Sequence, residues 1–293
     1  MSIATLNARI TALRKEEHDV RTHTQYEIGV IGAGNAAEGI VAGLLRNSVL
    51  LDDRIIASDI DEGRRELFRS RFGVEVTDDN RYLVAESYIL LLAVKPQIHR
   101  QVIAEIADLV REDHVVVSIM AGVSTRTLEN QLNHIKPRVV RVMPNLPVRV
   151  GAGMAGVHPG RYASEADLLR AQRIFDAGGK SLYIEDEALM DAVTGISGSG
   201  PAYFYYFTEA LIEAGERAGL SHQQASLLAK QSCLGAARMM LETGEKPGVL
   251  RDQITSPGGT TQAALESMRA NNVFEHIVEA ALAAARRSRE LGS

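Results

Sequence analysis

A chain of 293 residues with 45% hydrophobic and 24% charged residues has the make-up of a globular protein of about two domains, large enough to bury a core. Its formal net charge of -5, with no basic block, excludes nucleic acid as a natural partner, so an anionic substrate must be held by local groups. The single cysteine, Cys233, excludes a disulfide framework and points to a reducing, cytoplasmic setting; no apolar run is long enough to span a membrane, and the eight histidines lack metal-binding spacing.

Residues 1–25 mix Arg9, Arg14, Lys15 and Arg21 with Glu16, Glu17 and Asp19, which suits neither a secretion signal nor a transit peptide. Ile3, Leu6, Ile10 and Leu13 hint at a short amphipathic helix, but the segment is expected to be a flexible extension or packing arm. Glu27–Ile31 then reads as a strand, followed at once by Gly32-Ala33-Gly34-Asn35-Ala36-Ala37 and an amphipathic helix over Glu38–Arg46. Strand, G-x-G-x-x-A, helix is the context a dinucleotide fingerprint requires: Gly32 for the tight turn, Gly34 for backbone approach to a pyrophosphate, Ala37 for close helix packing. The next strand, Arg54–Ser58, ends in Asp59, 22 residues beyond Ala37, where an acid commonly meets the adenosine ribose. Asp59 favours the free 2′-hydroxyl of NADH, whereas Ser58 could donate to the 2′-phosphate of NADPH and Arg64-Arg65 could screen it, although the two arginines read more simply as a solvated helix face; both cofactors remain open.

Alternation continues through a strand at Gly73–Val76, a short helix capped within 77–80, and the apolar run Tyr88–Val94, typical of a central parallel strand. Ligands bind outside the carboxyl ends of such strands, which places Asn80, Ala93, Val94, Lys95 and Pro96 on the cofactor side. A helix over Gln97–Val110 leads to the strand Val115–Ile119, with Ala121 and Gly122 at its carboxyl end, then a helix capped by Ser124. The strand Arg138–Val142 closes in the rigid loop Met143-Pro144-Asn145-Leu146-Pro147, and two further strands, Gly153–His158 and Lys180–Ile184, flank a helix at Glu165–Asp176.

Beyond residue 185 the strand pattern stops. Helices are expected at Leu189–Thr194, Ala202–Ala218, Ser221–Leu241 and Val273–Leu291, interrupted at Ser197-Gly198-Ser199-Gly200-Pro201. So much apolar helix surface in so short a segment calls for a second subunit to cover it. Between the last two helices lies Ser256-Pro257-Gly258-Gly259-Thr260-Thr261-Gln262: a proline stop, two turn glycines, then Thr260 or Thr261 as helix N-cap. With three hydroxyls and unpaired N–H groups it could seat a small anion, or serve simply as a capped turn. The fold class is therefore α/β, a Rossmann-type dinucleotide-binding domain over residues 26–185 followed by an all-helical dimerisation domain over 186–293.

These residues together resemble one family, pyrroline-5-carboxylate reductase. The resemblance covers nearly everything after residue 26 and rests on Ile31–Asn35, Ala93–Gln97, Arg141–Asn145, Asp191–Thr194, Ser197–Tyr203 and above all Ser256–Thr261. Departures are small: Ala36 and Ala121 stand at variable positions, Leu146 replaces a common threonine, and residues 1–25 have no counterpart in compact bacterial forms. The resemblance implies hydride transfer from NADPH, with NADH possible, to the C=N bond of 1-pyrroline-5-carboxylate, giving L-proline. It implies that Gly32, Ala33, Gly34, Asn35, Ala36, Ser58, Asp59, Asn80, Ala93, Val94, Lys95, Pro96, Ala121 and Gly122 hold the cofactor. It also implies that the Ser256 hydroxyl, with Gly259 and the Thr260 and Thr261 amides, holds the substrate carboxylate, while the Thr261 hydroxyl meets the ring nitrogen. The family places that loop beside the nicotinamide of a dimer-related domain, so a homodimer, or a ring of dimers, is expected. Alternatives are a reductase of another cyclic imine or small acid, or a catalytically silent oligomeric scaffold. Against a β-hydroxyacid dehydrogenase stands the absence of any lysine between Ser181 and Ala229.

Overall fold

The computed structural model describes residues 24–292, so the expectation for the first 23 residues lies outside the described part. The chain divides into two compact units, residues 24–198 together with 285–292, and Ser199–Ala284. The first unit thus continues past residue 185 and takes back the end of the last helix.

Its sheet has eight strands: β1 (Tyr26–Ile31), β2 (Ile55–Ser58), β3 (Glu75–Thr77), β4 (Ser87–Leu92), β5 (Val115–Ser118), β6 (Arg138–Pro144), β7 (Gly153–Pro159) and β8 (Gly179–Tyr183). They lie in the order β3-β2-β1-β4-β5-β6-β7-β8, with only β6 and β7 antiparallel. The helices are α1 (Asn35–Arg46), α2 (Glu62–Phe72), α3 (Asn80–Glu86), α4 (His99–Ile106), α5 (Thr125–Gln131) and α6 (Glu165–Asp176). In β4 every residue is buried, because Ile89 and Leu91 point to one face while Leu90 and Leu92 point to the other. The first face is covered by Ile40 and Leu44 of α1, Phe68 of α2 and Phe175 of α6, the second by Leu83 of α3, Ile103 of α4 and Leu128 of α5. Strand order reverses between β1 and β4, the switch point at which open sheets bind ligands.

Where one helix is expected over Leu189–Thr194, the chain instead runs from a 3-10 turn into α7 (Met190–Val193) and a wider π-type turn, Thr194–Gly198. Small residues let this segment press on the sheet: a Cβ on Gly198 would meet Met143 Cε at 2.6 Å, and one on Gly156 would meet Val193 at 2.7 Å.

The second unit contains α8 (Gly200–Arg217), α9 (His222–Thr243), α10 (Pro247–Gln253), α11 (Thr260–Ala270) and the start of α12 (Val273–Leu291). Ser221 opens α9 with a reciprocal capping box to Gln224, and Gly244, at φ +68°, closes it. Only Gly200, Ala225 and Ala229 are buried here, whereas Phe204, Tyr206, Leu227 and Phe274 each expose more than half of their surface. Such helices do not bury their apolar faces among the described residues.

A buried titratable group just ahead of β5 makes the stability of the fold depend on pH. His114, fully buried before β5, accepts from the Arg111 N–H through Nδ1 at 3.0 Å. Burial, then repulsion from Arg111 and Arg138 against attraction by Asp113, pushes its pKa down to about 4. The unfolded chain, with an ordinary histidine near ~6.5, therefore takes up a proton between that pH and about 4 that the folded chain refuses. Stability is expected to fall with pH across this window, by about 2 kcal/mol from this group at pH 5. Urea midpoints at pH 7.5 and 5.0 check it: His114→Leu should lose the part of the pH dependence that His114 supplies, and an unchanged dependence would remove His114 as its source.

Candidate active site

After β1 the backbone turns at Gly32, φ +97°, where a Cβ would also sit 2.9 Å from Ala93 O, so glycine is required twice over. The Gly32 N–H donates to Ser58 O and the Ala93 N–H to Ile31 O, both at 2.8 Å, tying the carboxyl ends of β2, β1 and β4 into one rim. Gly34 precedes α1 without a side-chain cap, and nothing lies within 4 Å of where its Cβ would be. The loop face is open, the first N–H groups of α1 on Asn35 and Ala36 have no carbonyl to reach within the helix, and Ala37 is packed on the sheet. That combination fits a dinucleotide pyrophosphate.

At the end of β2, Ser58 is buried and its hydroxyl donates to Asn80 Oδ1 at 2.7 Å, while Asn80 Nδ2 donates to Glu105 at 3.0 Å. Two expected cofactor residues are thus engaged with each other. Asp59 Oδ2 accepts from the Ala33 N–H at 2.8 Å and Oδ1 from the Asp61 N–H at 2.9 Å. Beneath this corner lies an acid that sequence reasoning passed over. Buried Glu38 is met by Arg64 at 3.1 Å, Arg71 at 2.6 Å and Arg149 at 2.8 Å. Burial alone would push the Glu38 carboxyl up, but the Arg64 hydrogen bond and the Arg149, Arg64 and Arg71 charges hold it below the usual carboxylate range.

Ala93 and Val94 stand half-buried after β4, Lys95 is exposed, and Pro96 opens a 3-10 turn. After β5, Ala121 is half-buried, whereas Gly122 at φ +77° is covered by the end of α12: a Cβ there would strike Ser288 O and Gly292. That helix end is held by Ser288 Oγ, which donates to Asp191 Oδ1 at 2.7 Å, with Arg289 3.7 Å from Oδ2. Arg141, buried in β6, lies 3.2 Å from Glu187 and 3.6 Å from Asp191, and the Thr125 N–H and hydroxyl bind Glu187 at 2.7 and 2.8 Å. Asn145 bridges the loop after β6, donating to Ser197 O at 3.2 Å and accepting from the Met154 N–H at 2.8 Å.

In the helical unit, Gly258 at φ +70° turns the chain, and Gly259, not a threonine, is the N-cap of α11. A side chain at Gly259 would collide with Ser256 Oγ, which explains the second glycine and brings that hydroxyl to the helix end. Thr260 and Thr261 occupy the first two helical positions, where no intrahelical carbonyl is available to their N–H groups. Gln262 accepts from the Gly258 N–H at 2.7 Å and donates to Glu266 at 2.8 Å, bracing the loop. Ser256, Gly259, Thr260 and Thr261 are therefore gathered at one accessible helix terminus.

Two family profiles match the chain: pyrroline-5-carboxylate reductase dimerisation over residues 187–291, and NADP oxidoreductase, coenzyme F420-dependent, over residues 27–122. Among curated relatives, the pyrroline-5-carboxylate reductase of Pseudomonas aeruginosa is 41% identical over 265 residues, covering 90% of this chain and 96% of the relative. That of Methanosarcina acetivorans is 40% identical over 266 residues, covering 91% and 98%. The solved pyrroline-5-carboxylate reductase of Coxiella burnetii superposes with a TM-score of 0.84 at 36% identity, over 92% of this chain and 100% of that one. The Plasmodium falciparum pyrroline carboxylate reductase, solved with NADP bound, gives 0.83 at 28% identity over the same shares.

Proposed function

The chain belongs to the pyrroline-5-carboxylate reductase family, and from that premise we propose how its residues reduce 1-pyrroline-5-carboxylate to L-proline. NADPH, bound at the fingerprint rim, supplies the hydride. The observation that carries the reading is the presence in one chain of that open rim and of an accessible Ser256–Thr261 helix end bearing hydroxyls and unpaired amides.

At that end the Ser256 hydroxyl and the Thr260 and Thr261 amides hold the substrate carboxylate, aided by the helix dipole. The Thr261 hydroxyl orients the ring nitrogen. A protonated imine accepts hydride directly, so orientation and charge placement suffice, whereas a carbonyl substrate would call for a positioned acid. A second copy of the chain covers the exposed apolar helices and presents its nucleotide unit to the loop, making the homodimer the catalytic species in a reducing, cytoplasmic setting. Among the described residues no helix is long and apolar enough to cross a membrane.

Purified protein mixed with NADPH and pyrroline-5-carboxylate is expected to consume the nicotinamide absorbance and release proline. Turnover of other cyclic imines but not this one would move the substrate assignment. No turnover of any imine would reject the enzyme.

A further inference from the structure

NADPH differs from NADH by one group, the dianionic phosphate on the adenosine 2′-oxygen, and in this fold that oxygen lies at the end of β2. The acid at that point, Asp59, would repel a phosphate, yet both its oxygens already serve the Ala33 and Asp61 N–H groups. Of the neighbouring acids, Asp61 caps α2 through the Gly63 N–H at 2.7 Å, Glu62 pairs with Arg65, and Asp78 lies 4.0 Å from Arg65. Arg65 itself is spent on the carbonyls of Asp59 and Ile60 at 2.7 and 3.2 Å.

We propose that Arg64 selects NADPH over NADH, its guanidinium supplying the counter-charge for the 2′-phosphate while Glu38 and the Ala33 carbonyl hold it in place. The proposal rests on the NADP-linked reading above. Arg64 Nε donates to Ala33 O at 2.6 Å and Nη2 to Glu38 at 3.1 Å, and its guanidinium carbon lies 5.9 Å from the Phe68 ring centroid. The head group is thus anchored on the fingerprint loop itself, and little ordering is left to be done on binding. Nη1 has no partner among the described residues, and the side chain keeps 25% of its surface exposed. Arg71 and Arg149 share the other Glu38 oxygen, so three guanidiniums face one buried carboxylate and the cluster carries surplus positive charge. Glu38 is a positioning residue in this scheme, and Asp59 a staple for the loop.

The test is calorimetric titration of the full-length protein with 2′,5′-ADP and with 5′-AMP. Arg64→Met is expected to weaken 2′,5′-ADP by about 10- to 100-fold, the range for losing a charge-assisted contact to phosphate, and 5′-AMP by less than about threefold. Asp59→Asn is expected to leave the ratio of the two affinities within about threefold. Equal losses for both nucleotides in Arg64→Met, or no loss for either, would overturn the proposal. So would a tenfold or larger shift in the ratio on Asp59→Asn alone, roughly 1.4 kcal/mol. Should Arg64→Met fail to fold, Arg64→Lys is read instead, with a loss of about tenfold expected for 2′,5′-ADP only, because a point charge lacks the fork. Since the readout is nucleotide affinity, its failure is distinguishable from failure to reduce any particular imine.

Discussion

Thr261→Val is expected to lower turnover by about 10- to 100-fold, the range for losing one hydrogen bond to a charged group. Thr261 is the second residue of α11 and half-buried, and valine keeps its β-branched shape while removing only the hydroxyl. The helix and its amides should persist, so the carboxylate seat remains while the ring nitrogen loses its orienting contact. Ser256→Ala acts differently: it weakens a contact made equally in ground and transition states, and KM is expected to rise with little change in kcat. Steady-state kinetics on both variants, beside unchanged urea midpoints, separate the roles. Wild-type turnover in Thr261→Val would remove the residue from the chemistry, and a pure kcat effect in Ser256→Ala would place that hydroxyl elsewhere.

Arg141→Met is expected to cost about 3 kcal/mol of stability, the range for removing one partner of a buried ion pair. The guanidinium separates two carboxylates, Glu187 and Asp191, that would otherwise face each other in a largely desolvated setting. Asp191 also holds Ser288, so the end of α12 and its cover over Gly122 are expected to loosen as well. The triple variant Arg141→Met, Glu187→Gln, Asp191→Asn removes the repulsion and should recover much of the loss. Urea unfolding at fixed protein concentration measures both; a single-variant cost below about 1 kcal/mol would show that the cluster is solvated in practice.

Much of this was legible in one dimension. The fingerprint depends on φ angles and small volumes over six consecutive residues, and the strand–helix alternation on periodicity within each element. The surplus of apolar residues on α8 and α9 likewise announced surfaces with no partner among the described residues. The Ser256–Thr261 loop could be singled out, but not its cap. Gly259 takes that position because its backbone is extended just ahead of the first helical residue, with Ser256 Oγ lying where a side chain would go, an arrangement that depends on how the turn closes.

Composition and local order marked out most of the elements and the glycine turn after β1, because backbone turns, helix starts and apolar periodicity act over a few residues. Only the folded chain could decide who meets whom. Glu38 and Arg149 are 111 residues apart, Ser288 and Asp191 are 97, and Arg141 and Glu187 are 46. Such pairings follow from strand order and crossover, which no local pattern encodes, and they determine that Ser58 is spent on Asn80, that Gly122 is covered, and that Arg64 is held on the Ala33 carbonyl.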